Sequence, residues 1–287
     1  MTDSLPFKRV AVVGAGTMGH GIAQVCAQAG CGVRLFDVDQ ASVQNGLTRI
    51  KKNLDKGVEK GKVDAQDAER ALTRIDGTID LGMAVDEADL VIEAIPETLS
   101  IKAELFARLA GLTEEGAVYA TNTSSLSIAQ ISEAAPDPSR VIGMHFFNPV
   151  HIMALLEVVH HTGTDPQVVN DVLTFGKAIG KETILVKDSP GFATSRLGVC
   201  LGMEAIRMLQ DGVASAEDID KAMVLGYRHP IGPLKLTDLV GLDIRMSIGE
   251  YLAEELDNSA FSPPRLMREM VKNGVLGKKT GKGFYEW

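Results

Sequence analysis

Two ionisable side chains stand inside apolar runs, where charge is costly. His145 lies near the end of Val141–Phe147, and Glu157 sits inside Ala154-Leu-Leu-Glu157-Val-Val, twelve residues further on. A carboxylate in a buried strand needs a partner or it stays protonated. An imidazole on the neighbouring strand is a good one. The carboxylate would fix the ring's tautomer and raise the basicity of the far nitrogen, which suits a general base. By position alone, His145 serves equally well as a hydrogen-bonded core histidine. The strand before it ends in Thr121-Asn122-Thr123-Ser124-Ser125. Some of these small polar groups can cap the next helix, and one hydroxyl is expected to face a ligand.

A third cluster is Gly14-Ala-Gly16-Thr17-Met18-Gly19, between a β-branched run and a helical stretch. Gly14 permits a tight turn. Gly16 lets a pyrophosphate approach the backbone, and Gly19 lets the helix pack on the strand. The helix N-terminus then offers free N–H groups to phosphate. Asp37 ends the next strand, eighteen residues past Gly19. A carboxylate there accepts hydrogen bonds from ribose hydroxyls and repels a 2′-phosphate. Asp39 adds a second negative charge, so NAD is favoured over NADP. The other reading is a glycine turn in an α/β fold without ligand.

These groups need a scaffold that gathers strand ends at one edge. Arg9–Val13, Val33–Val38, Leu90–Ile95, Val118–Ala120, Val141–Phe147, Leu155–Val159 and Thr183–Val186 read as short strands covered on both faces. That pattern, alternating with helical stretches, predicts an α/β fold: a Rossmann-type, doubly wound, mainly parallel sheet. Between the second and third strands, Val43, Leu47, Ile50, Leu54 and Val58 form an apolar helical stripe. Arg49, Lys52, Lys56 and Lys60 form a basic stripe on another face of the same helix, either solvated or anion-binding. The rhythm changes at Lys187-Asp188-Ser189-Pro190-Gly191, which predicts a nucleotide-binding domain over 1–188 and an all-helical domain over 189–287. In the latter, helices are expected from Leu197 to Met208, after Ser215, over Gly241–Leu256 and after Ser262-Pro263-Pro264.

The 287 residues are 45% hydrophobic, and 29 basic against 38 acidic residues leave a net charge of −9. That excludes disorder as the main state and argues against general binding to nucleic acid or anionic membranes. No apolar run approaches the roughly 18 residues of a membrane span. The start, Met1–Arg9 with the following valines, breaks into glycines too soon to be a signal peptide. Cys26, Cys31 and Cys200 form no CxxC pair and fit a reducing, cytoplasmic setting. His160 and His161 would point to opposite strand faces, so no metal site is expected.

Gly14–Gly19, Ile92-Glu-Ala-Ile-Pro-Glu97, Asn122-Thr-Ser124-Ser, Gly143-Met-His145-Phe-Phe-Asn148-Pro, Asp188-Ser-Pro-Gly-Phe, Gly232-Pro-Leu and Gly277-Lys-Lys-Thr-Gly-Lys-Gly-Phe-Tyr occur in this order along the chain. In these motifs the sequence resembles the short-chain L-3-hydroxyacyl-CoA dehydrogenase family, which includes bacterial 3-hydroxybutyryl-CoA dehydrogenases. The resemblance implies that His145 is the base that takes the 3-hydroxyl proton as hydride leaves C3. It implies that Glu157 orients His145, that Ser124 holds the reacting oxygen, and that Asn148 places substrate and nicotinamide. Asp37, Glu97, Lys102 and Lys279 match positions that contact NAD. Lys56 and Lys60 match the helix that offers lysines to the CoA phosphates. It also implies a homodimer through the C-terminal domain, where Met203, Met208, Met223, Met246, Met267 and Met270 make adaptable packing. One position departs from the pattern. In Gly191-Phe-Ala-Thr-Ser195-Arg196 a serine stands where the family usually has a substrate-holding asparagine. This bears on substrate geometry and chain-length preference rather than on reaction class. The competing readings are a dehydrogenase of a free hydroxy acid or sugar acid, and an NAD-binding homodimer without turnover.

Overall fold

The computed structural model describes residues 5–287. The leader reading of Met1–Arg9 falls partly on Met1–Ser4, which lie outside the described residues. The chain packs as two units, one ending at Asp188 and the other running from Ser189 to Trp287.

The first unit is a sheet flanked by helices. Its strands are β1 (Arg9–Val13), β2 (Gly32–Phe36), β3 (Ile75–Thr78), β4 (Leu90–Glu93), β5 (Val118–Thr121), β6 (Val141–Phe146), β7 (Leu155–His160) and β8 (Glu182–Lys187). Its helices are α1 (Gly19–Gln28), α2 (Gln40–Glu59), α3 (Ala65–Leu72), α4 (Leu81–Val85), α5 (Leu99–Arg108), α6 (Ile128–Ser132) and α7 (Pro166–Ala178). The strand order is β3-β2-β1-β4-β5-β6-β7-β8. Every neighbouring pair is parallel except β6 with β7. The order reverses between β1 and β4, the switch point at which open α/β sheets bind ligands. This is the Rossmann arrangement, with its core formed by β1, β2, β4, β5, β6, β7 and the inner faces of α1, α2, α3 and α7.

Helix α2 buries Val43, Ile50 and Leu54, with Leu47 and Val58 half-buried behind them, as the apolar stripe requires. Its lysines face solvent. Asp39 is its N-cap, with the carboxylate accepting from Ser42 N at 2.9 Å. The charge read from sequence as part of a cofactor preference therefore also stabilises a helix start.

Two details correct the reading from sequence. Strand β8 is not covered on both faces: it is the sheet edge, and Ile184 and Leu185 are 37% and 50% exposed. Strand β3 was not anticipated. Its residues Ile-Asp-Gly-Thr carry one buried apolar side chain, because it forms the opposite edge.

The second unit is helical, with α8 (Thr194–Gln210), α9 (Ala216–Lys221), α10 (Pro233–Val240), α11 (Leu242–Glu255) and α12 (Arg265–Lys272). Its core gathers Val199, Met203, Ile206, Leu234, Leu252 and Met267. Two buried acids brace it. Asp220 accepts from Leu234 N and Lys235 N, capping α10, and from the Tyr285 hydroxyl. Asp238 accepts from Phe284 N, Tyr285 N and Trp287 Nε1, which clamps the C-terminal Gly-Phe-Tyr segment. Among the described residues no helix is long and apolar enough to cross a membrane.

Candidate active site

The β6–β7 register sets His145 directly opposite Glu157. Side chains opposite each other on an antiparallel pair share one face about 5 Å apart, close enough for the two groups to meet. His145 Nδ1 and Glu157 Oε2 are 2.6 Å apart; Glu157 is fully buried and His145 is 7% exposed. A carboxylate on Nδ1 leaves Nε2 as the basic atom of the neutral ring. The Phe147 ring lies 4.4 Å from the imidazole, centroid to centroid, and walls its side. Asn122 Oδ1 accepts from Phe146 N at 2.9 Å, tying the end of β5 to the strand that carries His145. Asn148 follows on the surface, at the start of the turn after β6.

Strands β4, β5 and β6 run parallel, so their carboxyl ends reach the same edge. There a connected network replaces what the sequence showed as separate polar residues. Glu93 ends β4 and is fully buried. Its carboxylate accepts from Lys102 Nζ at 2.6 Å, Thr121 Oγ1 at 2.6 Å and Ile95 N at 2.7 Å. Lys102 also pairs with Glu97 Oε2 at 3.3 Å. Glu97 Oε1 accepts from Thr123 Oγ1 at 2.6 Å, Ser124 N at 2.7 Å and Ser124 Oγ at 3.0 Å. Glu97 thus fixes the backbone and hydroxyl of Ser124. Burial pushes the Glu93 carboxyl up from its ordinary range despite Lys102 beside it. At Glu97 burial acts in the same direction, but Lys102 and the Thr123 and Ser124 donors outweigh it and hold the carboxyl down.

Lys102 was expected to touch the cofactor. Its side chain is 1% exposed and spent on Glu93 and Glu97, so it lies beneath the edge as a brace. Glu93 and Asn122 are the residues that sequence reasoning left without a role. Both stood inside quoted motifs, and an acid closing an apolar strand was the available signal.

The glycine loop lies at the switch point. Gly14 has φ +103°, and a Cβ there would lie 2.6 Å from Ala94 O. Around Gly16 there is nothing within 4 Å of such a Cβ, so the loop leaves open space where a phosphate would approach. Asp37 Oδ2 accepts from Ala15 N at 2.8 Å, which locks the acid against the loop. A cavity of about 580 Å³ opens here, lined by Gly14, Gly16, Thr17, Met18, Asp37 and Pro96 among others. Open space at Gly16 and an oriented acid at Asp37 fit a dinucleotide with free ribose hydroxyls. Gly19 lies under the loop, where a Cβ would meet Gly14 O at 1.6 Å.

The remaining sequence candidates lie apart from this edge or in the second unit. Lys56 and Lys60 are exposed at the C-terminal end of α2. In the second unit, Lys279 Nζ is held by both Asp243 oxygens at 2.6 Å. Ser195 is half-buried in the first turn of α8.

Known proteins match along the whole chain. The model of the 3-hydroxyacyl-CoA dehydrogenase NAD binding domain matches residues 9–189, and that of the 3-hydroxyacyl-CoA dehydrogenase C-terminal domain matches 191–287. The chain is 43% identical to a 3-hydroxybutyryl-CoA dehydrogenase of Mycobacterium tuberculosis over 289 aligned residues, covering 100% of both. It is 40% identical to one from Clostridioides difficile, covering 97% of this chain and 99% of that one. The solved structure of (S)-3-hydroxybutyryl-CoA dehydrogenase from Ralstonia eutropha superposes with a TM-score of 0.94 at 41% identity, covering 98% of this chain and 99% of that chain. A buried histidine–glutamate pair, a nucleotide loop at the switch point and matches over both units lead to one assignment: the chain belongs to the 3-hydroxyacyl-CoA dehydrogenase family.

Proposed function

We propose that His145, oriented by Glu157, is the base of this NAD-dependent 3-hydroxyacyl-CoA dehydrogenase, and that its substrates are L-3-hydroxyacyl-CoA thioesters with short acyl chains. The observation that carries the assignment of the base is the 2.6 Å contact between His145 Nδ1 and Glu157 Oε2 at the carboxyl edge of the sheet. Bound NAD supplies a hydride acceptor at its nicotinamide. Every other contribution comes from the protein. Neutral His145 takes the 3-hydroxyl proton on Nε2, and Glu157 balances the imidazolium that forms. Ser124, held by Glu97, hydrogen-bonds the reacting oxygen. Asn148 aligns substrate and nicotinamide. Gly14, Gly16, Thr17, Met18 and Gly19 receive the pyrophosphate, and Asp37 the adenosine ribose. Glu97 and Lys279 complete the cofactor contacts, with Lys102 bracing Glu97 from below. Lys56 and Lys60 take the CoA phosphates, and Ser195 faces the acyl group.

The protein works as a homodimer through its helical unit. Exposed Leu197, Leu225 and Tyr227, 71%, 76% and 77% accessible, support this reading. Cys26, Cys31 and Cys200 are free thiols, in keeping with a cytoplasmic setting. The test is NADH oxidation with acetoacetyl-CoA against free acetoacetate. Turnover confined to the thioester is expected. Equal turnover of the free acid would remove the CoA moiety from recognition.

A further inference from the structure

After β6 the chain turns back between Pro149 and Met153 before entering β7. Ile152 N and Met153 N both donate to Pro149 O, at 2.9 and 3.0 Å. Lys181, 7% exposed, pins this turn from below by donating from Nζ to the carbonyls of Val150 and Met153. Helix α1 presses on it from the side, where a Cβ at Gly21 would lie 2.9 Å from Val150 Cβ. Gly21 and Val150 each stand next in sequence to a histidine, His20 and His151. Helix α2 joins α1 through Asn53 Nδ2, which donates to Gln24 Oε1 at 3.1 Å. Gln24 lies one turn past His20, and Asn53 one turn before Lys56, so this contact brings Lys56 toward the same corner.

Basic side chains thus converge within the first unit: His20 of α1, Lys56 of α2, His151 of the turn and Lys181 ahead of β8. His20 Nδ1 donates to Gly16 O at 2.7 Å, which leaves its Nε2 for another partner. His151 is half-buried, and its Nδ1 is buried without a hydrogen-bond partner. Such an atom is costly to leave unpaired. Lys56 and Ile152 are exposed, so the corner opens to solvent. Burial lowers the His151 imidazole from its ordinary value of 6.5, and His20, Lys181 and Lys56 act in the same direction. The empty ring is therefore neutral at neutral pH. An anion seated in this corner reverses the balance, because it pairs with the cations and draws a proton onto the imidazole.

We propose that His151 is a proton-linked binding residue for a phosphate of CoA, taking up a proton as the phosphate settles between it, His20 and Lys56. The proposal rests on the reading that Lys56 receives the CoA phosphates. The sign follows from linkage: the bound phosphate raises the imidazole above its value in the empty protein. Its contribution to affinity is complete below the empty value and is lost as pH rises through the value in the complex. CoA thioesters therefore bind more weakly as pH rises.

The test is calorimetric titration of CoA and of dephospho-CoA into the NAD-saturated protein from pH 6 to pH 8, in buffers of different ionisation enthalpy. Dephospho-CoA keeps the pyrophosphate, whose charge is constant over this range, and lacks the 3′-phosphate, whose charge is not. In wild type the dissociation constant should rise about tenfold across the range beyond any change seen in His151→Gln, with proton uptake that the variant loses, the scale of one linked group moved by one pK unit. A linkage that His151→Gln removes with both ligands assigns His151 to the pyrophosphate. One that it removes with CoA alone assigns it to the 3′-phosphate. His151→Lys stays charged throughout and should bind tightly at both ends of the range, which covers the case in which the glutamine variant fails to fold. Equal pH dependence in wild type and both variants overturns the proposal, and the dehydrogenase reading stands if acetoacetyl-CoA still oxidises NADH. Proton uptake on NAD binding that is absent on addition of either CoA ligand also overturns it, because the corner then serves the dinucleotide. No binding of either ligand, together with no turnover of acetoacetyl-CoA, defeats both readings.

Discussion

His145 and Glu157 face each other across the one antiparallel pair of an otherwise parallel sheet, and their side chains meet at 2.6 Å. The reversal at β7 is what makes this possible. A parallel neighbour of β6 would need a crossover connection, whereas the tight return through Asn148 brings an acid back beside the histidine within twelve residues. The same turn leaves Asn148 exposed.

Glu157→Gln preserves the shape of this contact and removes its charge. Without the carboxylate, the imidazolium formed during oxidation loses its counter-charge, and the ring loses its enforced tautomer. The expected result is a fall in kcat of about 10²-fold with little change in KM, on the scale of general acid–base contributions. The acid limb of the pH–rate profile of oxidation should move to lower pH, because an imidazole without its counter-charge gives up its proton more readily, a change that a purely structural role would not produce.

Lys102 sits under the site between two acids, with 1% of its side chain exposed. Lys102→Met would strand Glu93 as a buried charge. Urea unfolding should show a loss of about 3–5 kcal/mol, the cost of breaking a buried pair from one side. The double variant Glu93→Leu with Lys102→Met should recover part of that loss. A double variant less stable than the single one would show that the carboxylate's other donors, Thr121 and Ile95, matter more than Lys102.

Two glycines of the nucleotide loop should separate in their effects. Gly14 has φ +103° and backbone within 2.6 Å of a would-be Cβ, so Gly14→Ala should lower stability by about 1–3 kcal/mol. Gly16 borders open space, so Gly16→Ala should leave the melting temperature within a degree or two while NAD affinity falls roughly tenfold. Thermal melts and NAD titrations on the same samples check both.

Glu97 gives the site an acid limit. Its carboxyl lies below the ordinary value of 4.5 because Lys102, Thr123 and Ser124 overcome the opposing effect of burial. A depressed acid contributes its full stabilisation above the unfolded value and loses it as pH falls through the folded one. Glu97→Gln should therefore melt below wild type at neutral pH, and the gap should close below about pH 4. A gap that stays constant down to pH 3 would mean that the charge of Glu97 does not act on folding.

Much of this was legible from residue order. Strand β1, the glycine loop and Asp37 announce a nucleotide site because each obeys a local rule. The His145–Glu157 pair could be anticipated because an acid in an apolar run needs a partner. Strand β3 was hidden, since an edge strand of Ile-Asp-Gly-Thr carries almost no apolar signal. The burial of Lys102 was also hidden, because a lysine in a helix reads as solvated until the fold brings Glu93 and Glu97 to it.

The most direct measurement is the single-turnover rate of NAD reduction by 3-hydroxybutyryl-CoA in wild type and in His145→Gln. Glutamine fills the space and can hydrogen-bond but cannot take the proton. The rate should drop by about 10²–10⁴-fold while binding of the thioester changes less than threefold. A His145→Gln enzyme that reduces NAD at close to the wild-type rate would contradict the account at its centre.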